Sequence, residues 1–214
     1  QFSGCPVPLI SPLRALANCI SFNGQGIDAD LVHCHTWYAH FGGILAKLLY
    51  GLPLVVTVHS LEPLRPWKRE QIGRGFDLSS WVEKTTLEMA DAVIAVSKST
   101  REDLLRLFDI DEQRIHIIAN GIDTEEYKPV GGPDVLARYG IDYDSPYVLF
   151  VGRMTRQKGL YYFLRAIETI DPALQVVLCA GDADTPELQA ELEGMVEDLR
   201  QRRRGIYWIP GMID

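Results

Sequence analysis

The stretch YVLFVGRMTRQKGL, residues 147–160, joins an apolar run to a short basic loop and the start of an apolar helix. Gly152 ends the apolar run, and Gly159 opens the next segment. The cations between the two glycines are Arg153, Arg156 and Lys158. Strand, loop and helix in this order form the repeating unit of parallel α/β sheets, so the stretch predicts that architecture.

Six further β-branched runs alternate with helical patterns along the chain. They cover residues 30–35, 54–59, 92–97, 114–119, 174–181 and 206–211. Nearly continuous apolar runs of this kind suit parallel strands that helices cover on both faces. The fold class we expect is therefore α/β, with doubly wound, Rossmann-like parallel sheets.

Local signals predict where several helices begin. Ser80-x-x-Glu83 and Ser99-x-x-Glu102 both match the capping box, which predicts helix starts at the two serines. A further helix is expected over residues 186–203, because a proline lies at its first turn and acidic residues follow early.

The strand and helix pattern breaks between about residues 123 and 145, which are rich in Gly, Pro and Asp. We therefore predict a first lobe over residues 1–130, a linker over 131–146 and a second lobe over 147–214. Three strands make a poor independent core, so we expect a chain truncated at both ends.

Composition limits the classes of partner. With 29 acidic and 21 basic side chains the net charge is −8, which argues against broad binding to nucleic acid or anionic membrane. No apolar run approaches the roughly 18–20 residues of a membrane span. The four cysteines form no C-x-x-C pair, which predicts free thiols in a reducing cytoplasm. The sequence carries no signal for oligomeric state.

The basic loop after residue 151 suits a phosphate group. Ligands of open parallel sheets bind beyond the carboxyl ends of the strands, where a helix N-terminus offers free N–H groups. Arg153 can bind phosphate oxygens bidentately, and Lys158 can supply a second charge. The alternative is a solvated loop whose cations balance nearby acids, since no Walker-type glycine pattern is present.

Histidines cluster in DLVHCHTWYAH, residues 30–40. We expect His33 and His35 to point to opposite faces of the sheet, with His33 packed and hydrogen-bonded and His35 at the ligand edge. A metal-dependent hydrolase could use His40 and His59 as further ligands. That site would need carboxylates and more histidines than the five present, so we predict no metal.

The stretch LEPLRPWKREQIGRGFDLSS, residues 61–80, is too polar and too broken by Pro and Gly for a simple connection. We expect a long irregular loop, and such loops inside compact domains are usually functional. The aromatic face of Trp67 beside cations suits a sugar or sugar phosphate acceptor, and the alternative is a loop packed on the partner lobe. The residues expected to contact acceptor or sugar are His59, Arg65, Trp67 and Lys68.

Several segments together form a pattern that spans about residues 30–212; in chain order they are HCHTWYAH, TVHSLEPLRPWKREQIGRGF, LSSWVEKT, ADAVIAVS, NGID and FVGRMTRQKG. This pattern resembles glycosyltransferase family 4. These retaining enzymes have the GT-B fold, in which two Rossmann-like lobes face each other across a cleft. More narrowly, the segments are similar to actinobacterial-type glycogen synthases and maltose-1-phosphate synthases.

The resemblance implies a hexosyltransferase that moves glucose from ADP-glucose or UDP-glucose, with retention, in bacterial glycogen and α-glucan synthesis. The acceptor would be an α-1,4-glucan or glucose 1-phosphate. Gly152, Arg153 and Lys158 would bind the donor diphosphate, with no metal or other cofactor. His35 would be the catalytic residue that contacts and positions the transferred sugar.

Two elements of the family pattern are missing: a glycine-rich loop of the first lobe and an E-x7-E element of the second. We therefore expect the fragment alone to be inactive. The other functions that fit the residues are a GT-B-fold sugar-nucleotide epimerase and a non-catalytic nucleotide-binding remnant.

Overall fold

The structure, a computed structural model, describes residues 4–132, 134–181, 183 and 185–211. Internal contacts divide the chain into two compact units, Gln1–Thr124 and Glu125–Asp214. We call them the first and second units. The division lies inside the stretch where the strand and helix pattern breaks.

The first unit contains a four-stranded parallel sheet in the order β1-β2-β3-β4. Each strand lies within a run that the sequence predicts as a strand, so these four predictions are confirmed. Because all four strands run in one direction, their carboxyl ends meet at one edge. The strands are β1 (Val32–His35), β2 (Leu54–Val58), β3 (Ala92–Ala95) and β4 (Ile115–Ile117).

Helices connect and cover these strands. Among the described residues no helix is both long enough and apolar enough to cross a membrane. The second helix packs against the first and fourth helices and against strands β1 and β2. The helices are α1 (Val7–Asn23), α2 (Thr36–Tyr50), α3 (Lys68–Ile72), α4 (Gly75–Met89) and α5 (Lys98–Leu107), with 3-10 helices at Glu62–Leu64 and Glu112–Arg114.

The core of the first unit is built on its two central strands. Leu54, Val56 and Val93 are fully buried there, and Leu87 of α4 and Leu104 of α5 pack against them. Each of these side chains contributes about 1.5–3 kcal/mol through burial. The apolar runs of the sequence are thus the sheet positions that need cover on both faces.

The second unit contains a three-stranded parallel sheet in the order β5-β6-β7. All three strands confirm predicted runs, and the helix predicted over residues 186–203 is also confirmed. The strands are β5 (Tyr147–Val151), β6 (Gln175–Cys179) and β7 (Ile206–Ile209). The helices are α6 (Asp134–Arg138), α7 (Leu160–Ile167) and α8 (Pro186–Arg202), with a 3-10 helix at Arg156–Lys158.

Apolar residues at helical spacing form the core of the second unit. Residues 160, 164 and 167 of α7 are buried, as are residues 188, 192, 196 and 199 of α8, and both sets recur at three- or four-residue intervals. Part of the segment predicted as a linker is attached to this unit. Ile141 is buried, and the Gln175 side chain hydrogen-bonds to backbone groups of Asp142 and Ser145.

The predicted helix start at Ser80 is wrong. α4 begins at Gly75, and the Ser80 hydroxyl donates to the carbonyl of Phe76 inside the helix. Glu83, the other half of the supposed capping box, is buried and accepts a hydrogen bond from outside the helix. A buried acid with a tertiary partner gives the same short pattern as a cap.

The predicted helix start at Ser99 is wrong by two residues. The cap of α5 is Ser97, whose hydroxyl accepts the N–H of Thr100 at 3.0 Å. Helix α1 is not predicted from the sequence, because Pro12 lies inside it and proline normally interrupts a helix. The stretch over residues 61–80 is not an irregular loop, since it contains a 3-10 helix, α3 and the start of α4.

Candidate functional site

The carboxyl edge of the first sheet brings two predicted site residues together. His35 ends β1, and His59 follows the neighbouring strand β2. Nδ1 of His35 and Nε2 of His59 are hydrogen-bonded at 3.0 Å, and the ring centroids lie 5.3 Å apart. One nitrogen donates and the other accepts, so at least one imidazole of the pair is neutral. Both side chains are exposed and accessible to a ligand.

His33 lies beside this pair, so the prediction that His33 and His35 point to opposite faces is wrong. Residues two apart on a strand share a face, and the two ring centroids are 4.5 Å apart. Nε2 of His33 is 2.8 Å from the Thr57 hydroxyl, which confirms a hydrogen bond, although His33 is exposed and not packed. Among the described residues no group of three His, Cys, Asp or Glu is arranged to hold a metal ion.

Backbone strain lies directly after His35. Thr36 has φ 62°, and no other non-glycine residue of the described part has a positive φ. A β-branched residue in this region is a rare outlier that costs about 1–3 kcal/mol. The strained residue turns the chain from β1 into α2, so His35 projects at the edge of the sheet.

A buried ion pair fixes the segment that follows His59. The Glu62 carboxylate is 2% exposed and accepts hydrogen bonds from Lys68 Nζ at 2.6 Å and from the Ser79 hydroxyl at 2.7 Å. The Glu62 N–H donates to a carboxyl oxygen of Glu83 at 2.7 Å. Glu62 therefore joins its own 3-10 helix to α3 and α4.

Glu83 is the second buried acid of this network. Its pKa is raised to about 8, mainly by burial and also by the Glu62 carboxylate, whereas the Glu62 N–H and the Lys68 and Arg65 cations lower it. Glu83 therefore carries its proton at neutral pH. The Glu62 carboxylate is then paired with two cations, the buried Lys68 ammonium at 2.6 Å and the half-buried Arg65 guanidinium at 3.7 Å.

The residues expected to contact the acceptor occupy different environments. His59, Arg65 and Lys68 line one pocket, whereas Trp67 is exposed at the start of α3. Lys68 is 7% exposed and paired with Glu62, so it is not the surface cation that the sequence suggested. Arg65 donates to the Ser60 hydroxyl at 3.3 Å. That these side chains contact a ligand stays a prediction.

In the second unit, the basic loop after β5 is attached to the end of β6. The Gly152 N–H donates to the carbonyl of Cys179 at 3.0 Å, and the Met154 N–H donates to that of Gly181 at 3.2 Å. Two residues of the loop itself, Met154 and Thr155, are buried. The cations on its exposed side are Arg153, Arg156 and Lys158. The loop thus presents three positive charges from a fixed backbone.

Gly159 connects this loop to the following helix. The Thr155 hydroxyl accepts the N–H of Lys158 at 3.3 Å, which closes the 3-10 helix. Gly159 then takes φ 73°, a left-handed conformation that ends the 3-10 helix and immediately precedes α7. Lys158 and the N-terminus of α7 therefore belong to one loop, a geometry suited to an anion.

Several residues of the candidate site in the first unit were not predicted from the sequence. Glu62, Ser79 and Glu83 form the buried network, and Trp37 and His40 line the same pocket as His59. One sequence signal was available. Residues 79 and 83 of α4 are polar, yet helical spacing places them on the same face as the apolar residues 76, 82 and 87, which are buried.

The fold matches solved glycosyltransferase structures. Sucrose-phosphate synthase from Thermosynechococcus elongatus aligns with a TM-score of 0.76 at 24% identity, over 96% of this chain and 51% of that chain. The catalytic domain of starch synthase IV from Arabidopsis thaliana aligns with a TM-score of 0.64 at 18% identity, over 100% and 54%. The predicted α/β fold of the GT-B glycosyltransferase class is thereby confirmed.

The chain belongs to glycosyltransferase family 4, whose profile matches residues 4–126. Alpha-maltose-1-phosphate synthase of Mycolicibacterium smegmatis is 51% identical over 189 residues, which are 86% of this chain and 49% of that protein. D-inositol 3-phosphate glycosyltransferase of Xylanimonas cellulosilytica is 29% identical over 187 residues, 82% of this chain and 44% of that protein. The chain spans about half the length of the curated relatives it matches.

Lys68→Met should destabilise the protein by up to about 3–5 kcal/mol, because it removes the ammonium 2.6 Å from the buried Glu62 carboxylate and leaves only the Arg65 guanidinium, at 3.7 Å. Urea denaturation measures the change. Lys84→Met is the matched control, since Lys84 forms an exposed i,i+4 pair with Glu88 and should cost at most about 0.5 kcal/mol. Equal costs for the two variants would contradict the role given to Glu62.

Glu83→Gln should gain stability over the wild type as pH rises from about 4.5 to about 8. Across this window folded Glu83 holds a proton that unfolded Glu83 has lost, so wild-type stability falls as pH rises. The difference should grow by up to about 1.4 kcal/mol per pH unit. Urea denaturation at pH 5, 6.5 and 8 tests this, and a constant difference would refute it.

Gly159→Ala should destabilise the second unit by about 1–2 kcal/mol, because alanine is strained at φ 73°. The added methyl group meets no atom within 4 Å, so the cost is that of the backbone alone. Gly194→Ala is the control. It lies inside α8 with equal space and should stabilise by about 0.5–1 kcal/mol. Thermal denaturation should show melting temperatures that move in opposite directions.

Proposed function

We propose that the protein containing this chain is a retaining glucosyltransferase. It moves glucose from ADP-glucose, or less favourably UDP-glucose, to glucose 1-phosphate or to the end of an α-1,4-glucan, in bacterial α-glucan synthesis in the cytoplasm. The observation that carries the proposal is the 51% identity to alpha-maltose-1-phosphate synthase over 86% of this chain. One glucosyl unit added to glucose 1-phosphate gives maltose 1-phosphate, which makes that acceptor the favoured one.

The leaving group of this reaction is a nucleoside diphosphate. In the proposal Arg153 binds phosphate oxygens bidentately and Lys158 adds a second positive charge, while the Gly152 backbone keeps the loop in place. Fixed positive charge beside the bond that breaks stabilises the departing diphosphate. The proposal therefore requires no metal ion or other cofactor.

The transferred sugar would lie against the histidine pair. His35 contacts the glucosyl unit and positions it, with His59 held against it by their hydrogen bond. The bond from the anomeric carbon to the diphosphate breaks as the acceptor oxygen attacks from the same face, through an oxocarbenium-like state. The acceptor proton passes to the departing diphosphate, which acts as the base.

Acceptor binding is assigned to the segment after His59. Trp67 offers an exposed aromatic face to a sugar ring, and Arg65 offers a guanidinium to its phosphate. Lys68 lines the same pocket as Arg65, and its ion pair with Glu62 fixes the backbone from which Arg65 and Trp67 project.

The proposal is tested by product analysis with the full-length protein. ADP-glucose or UDP-glucose is combined with glucose 1-phosphate, with maltotetraose or with no acceptor, and each mixture is run with and without EDTA. Acceptor-dependent release of nucleoside diphosphate, unchanged by EDTA, supports the transferase. Conversion of the nucleotide sugar without acceptor would indicate an epimerase, and binding without turnover a remnant.

Arg153→Ala and Lys158→Ala should each lower kcat/KM for the donor by about 100-fold to 1000-fold, because each removes charge stabilisation from the leaving group. Steady-state kinetics with the preferred donor measures the loss. Arg156→Ala is the control from the same loop and should stay within about 3-fold of the wild type. Equal losses at all three positions would reduce the loop to a general positive surface and remove the specific assignment.

A further inference from the structure

One pocket of the first unit collects most of the buried polar atoms that lack a hydrogen-bond partner. Within the described residues six buried side-chain N and O atoms have none, and four of them belong to residues that line this pocket. They are Nε1 of Trp37, both ring nitrogens of His40 and Nε of Arg65. His40 is 2% exposed and Trp37 is 4% exposed, so bulk solvent does not reach them.

This concentration is unusual for a protein interior. An unpaired buried polar group costs about 1–3 kcal/mol, and native structures keep few of them. The other buried polar groups of the same pocket are paired, because Glu62, Lys68 and Glu83 hydrogen-bond to one another and Thr57 bonds to His33. The unpaired donors and acceptors therefore indicate a binding site for a polar ligand.

The protonation state of His40 determines which class of ligand fits the pocket. Burial, and then the charge of His35, lowers the pKa of His40 to about 4, so its imidazole is neutral at neutral pH. It offers one N–H donor and one acceptor nitrogen, and Trp37 offers one donor. A hydroxyl group both donates and accepts, so it can pair with either ring nitrogen of His40 and can accept from the Trp37 N–H. A phosphate dianion cannot donate to the acceptor nitrogen.

We propose that His40 and Trp37 form a hydroxyl-binding subsite that selects the acceptor sugar. His59, Ser60 and Arg65 line the same pocket and are more exposed than these two residues. The inference deepens the proposed function and rests on it, because the acceptor of glucosyl transfer is a sugar. His40 and Trp37 determine specificity by leaving a polar group unpaired whenever the matching hydroxyl is missing.

The test is calorimetric titration of the full-length protein without donor. The probes are glucose 1-phosphate, its 2-deoxy, 3-deoxy and 6-deoxy analogues, and maltose. At least one deoxy analogue should bind the wild type about 10-fold or more weakly than glucose 1-phosphate, because the subsite then keeps an unpaired group. In His40→Leu this ratio should fall to about 2-fold or less. His40→Gln retains a donor and an acceptor and should keep part of it.

Two further variants control this experiment. His116→Leu removes an exposed histidine from β4 and should leave the discrimination unchanged. Trp37→Phe keeps an aromatic ring but loses the N–H, and it should also reduce the discrimination. Without ligand, His40→Leu should be at least as stable as the wild type, because leucine removes an unpaired polar group. A histidine with a purely structural role would give a loss of stability.

The inference is overturned if all deoxy analogues bind equally, if His40→Leu and Trp37→Phe keep the discrimination, or if neither glucose 1-phosphate nor maltose binds. The binding titration can fail or succeed separately from the assay of glucosyl transfer. Discrimination without glucosyl transfer would remove the proposed function and keep the subsite, whereas transfer without discrimination would do the reverse.

Discussion

Parallel strand pairing is the constraint on which both candidate sites depend. In a parallel ladder every strand ends at the same edge, so residues far apart in the sequence meet there without any attraction of their own. His35 and His59 are brought together because β1 and β2 are neighbours, with His35 in register with Thr57. In the second unit the same constraint places the loop after β5 beside the end of β6, where Gly152 and Met154 are hydrogen-bonded.

The Glu62 network holds the polar segment after His59 rigid beside the carboxyl edge of the first sheet. Glu62, Glu83 and Lys68 are buried within a few ångströms of one another, the half-buried Arg65 guanidinium lies 3.7 Å from Glu62, and burial favours the protonated form of Glu83. Glu62 then binds Lys68 and Ser79 while its backbone binds Glu83. The segment carrying Arg65 and Trp67 is thereby fixed from below, with Trp67 exposed at the surface and Arg65 half-buried in the pocket.

Strands were predicted well from the sequence because a parallel strand is apolar on both faces and leaves a short, dense run. Helix starts were predicted less well, since Ser80 and Glu83 match a capping box by spacing while Glu83 has a tertiary partner. The position of Lys68 could not be read locally either, because its burial depends on Glu62 and Ser79 of other helices. The adjacency of His33 and His35 follows from the two-residue period of a strand alone, which places both side chains on one face.

The anomeric configuration of the first product tests the proposed glucosyl transfer with retention most directly. Proton NMR of a reaction with ADP-glucose, glucose 1-phosphate and the full-length protein should show a new α-anomeric signal that grows as ADP is released. A β-linked product would contradict the proposed front-face mechanism at the His35 edge. Release of ADP with free glucose as the only sugar product would contradict the acceptor site itself.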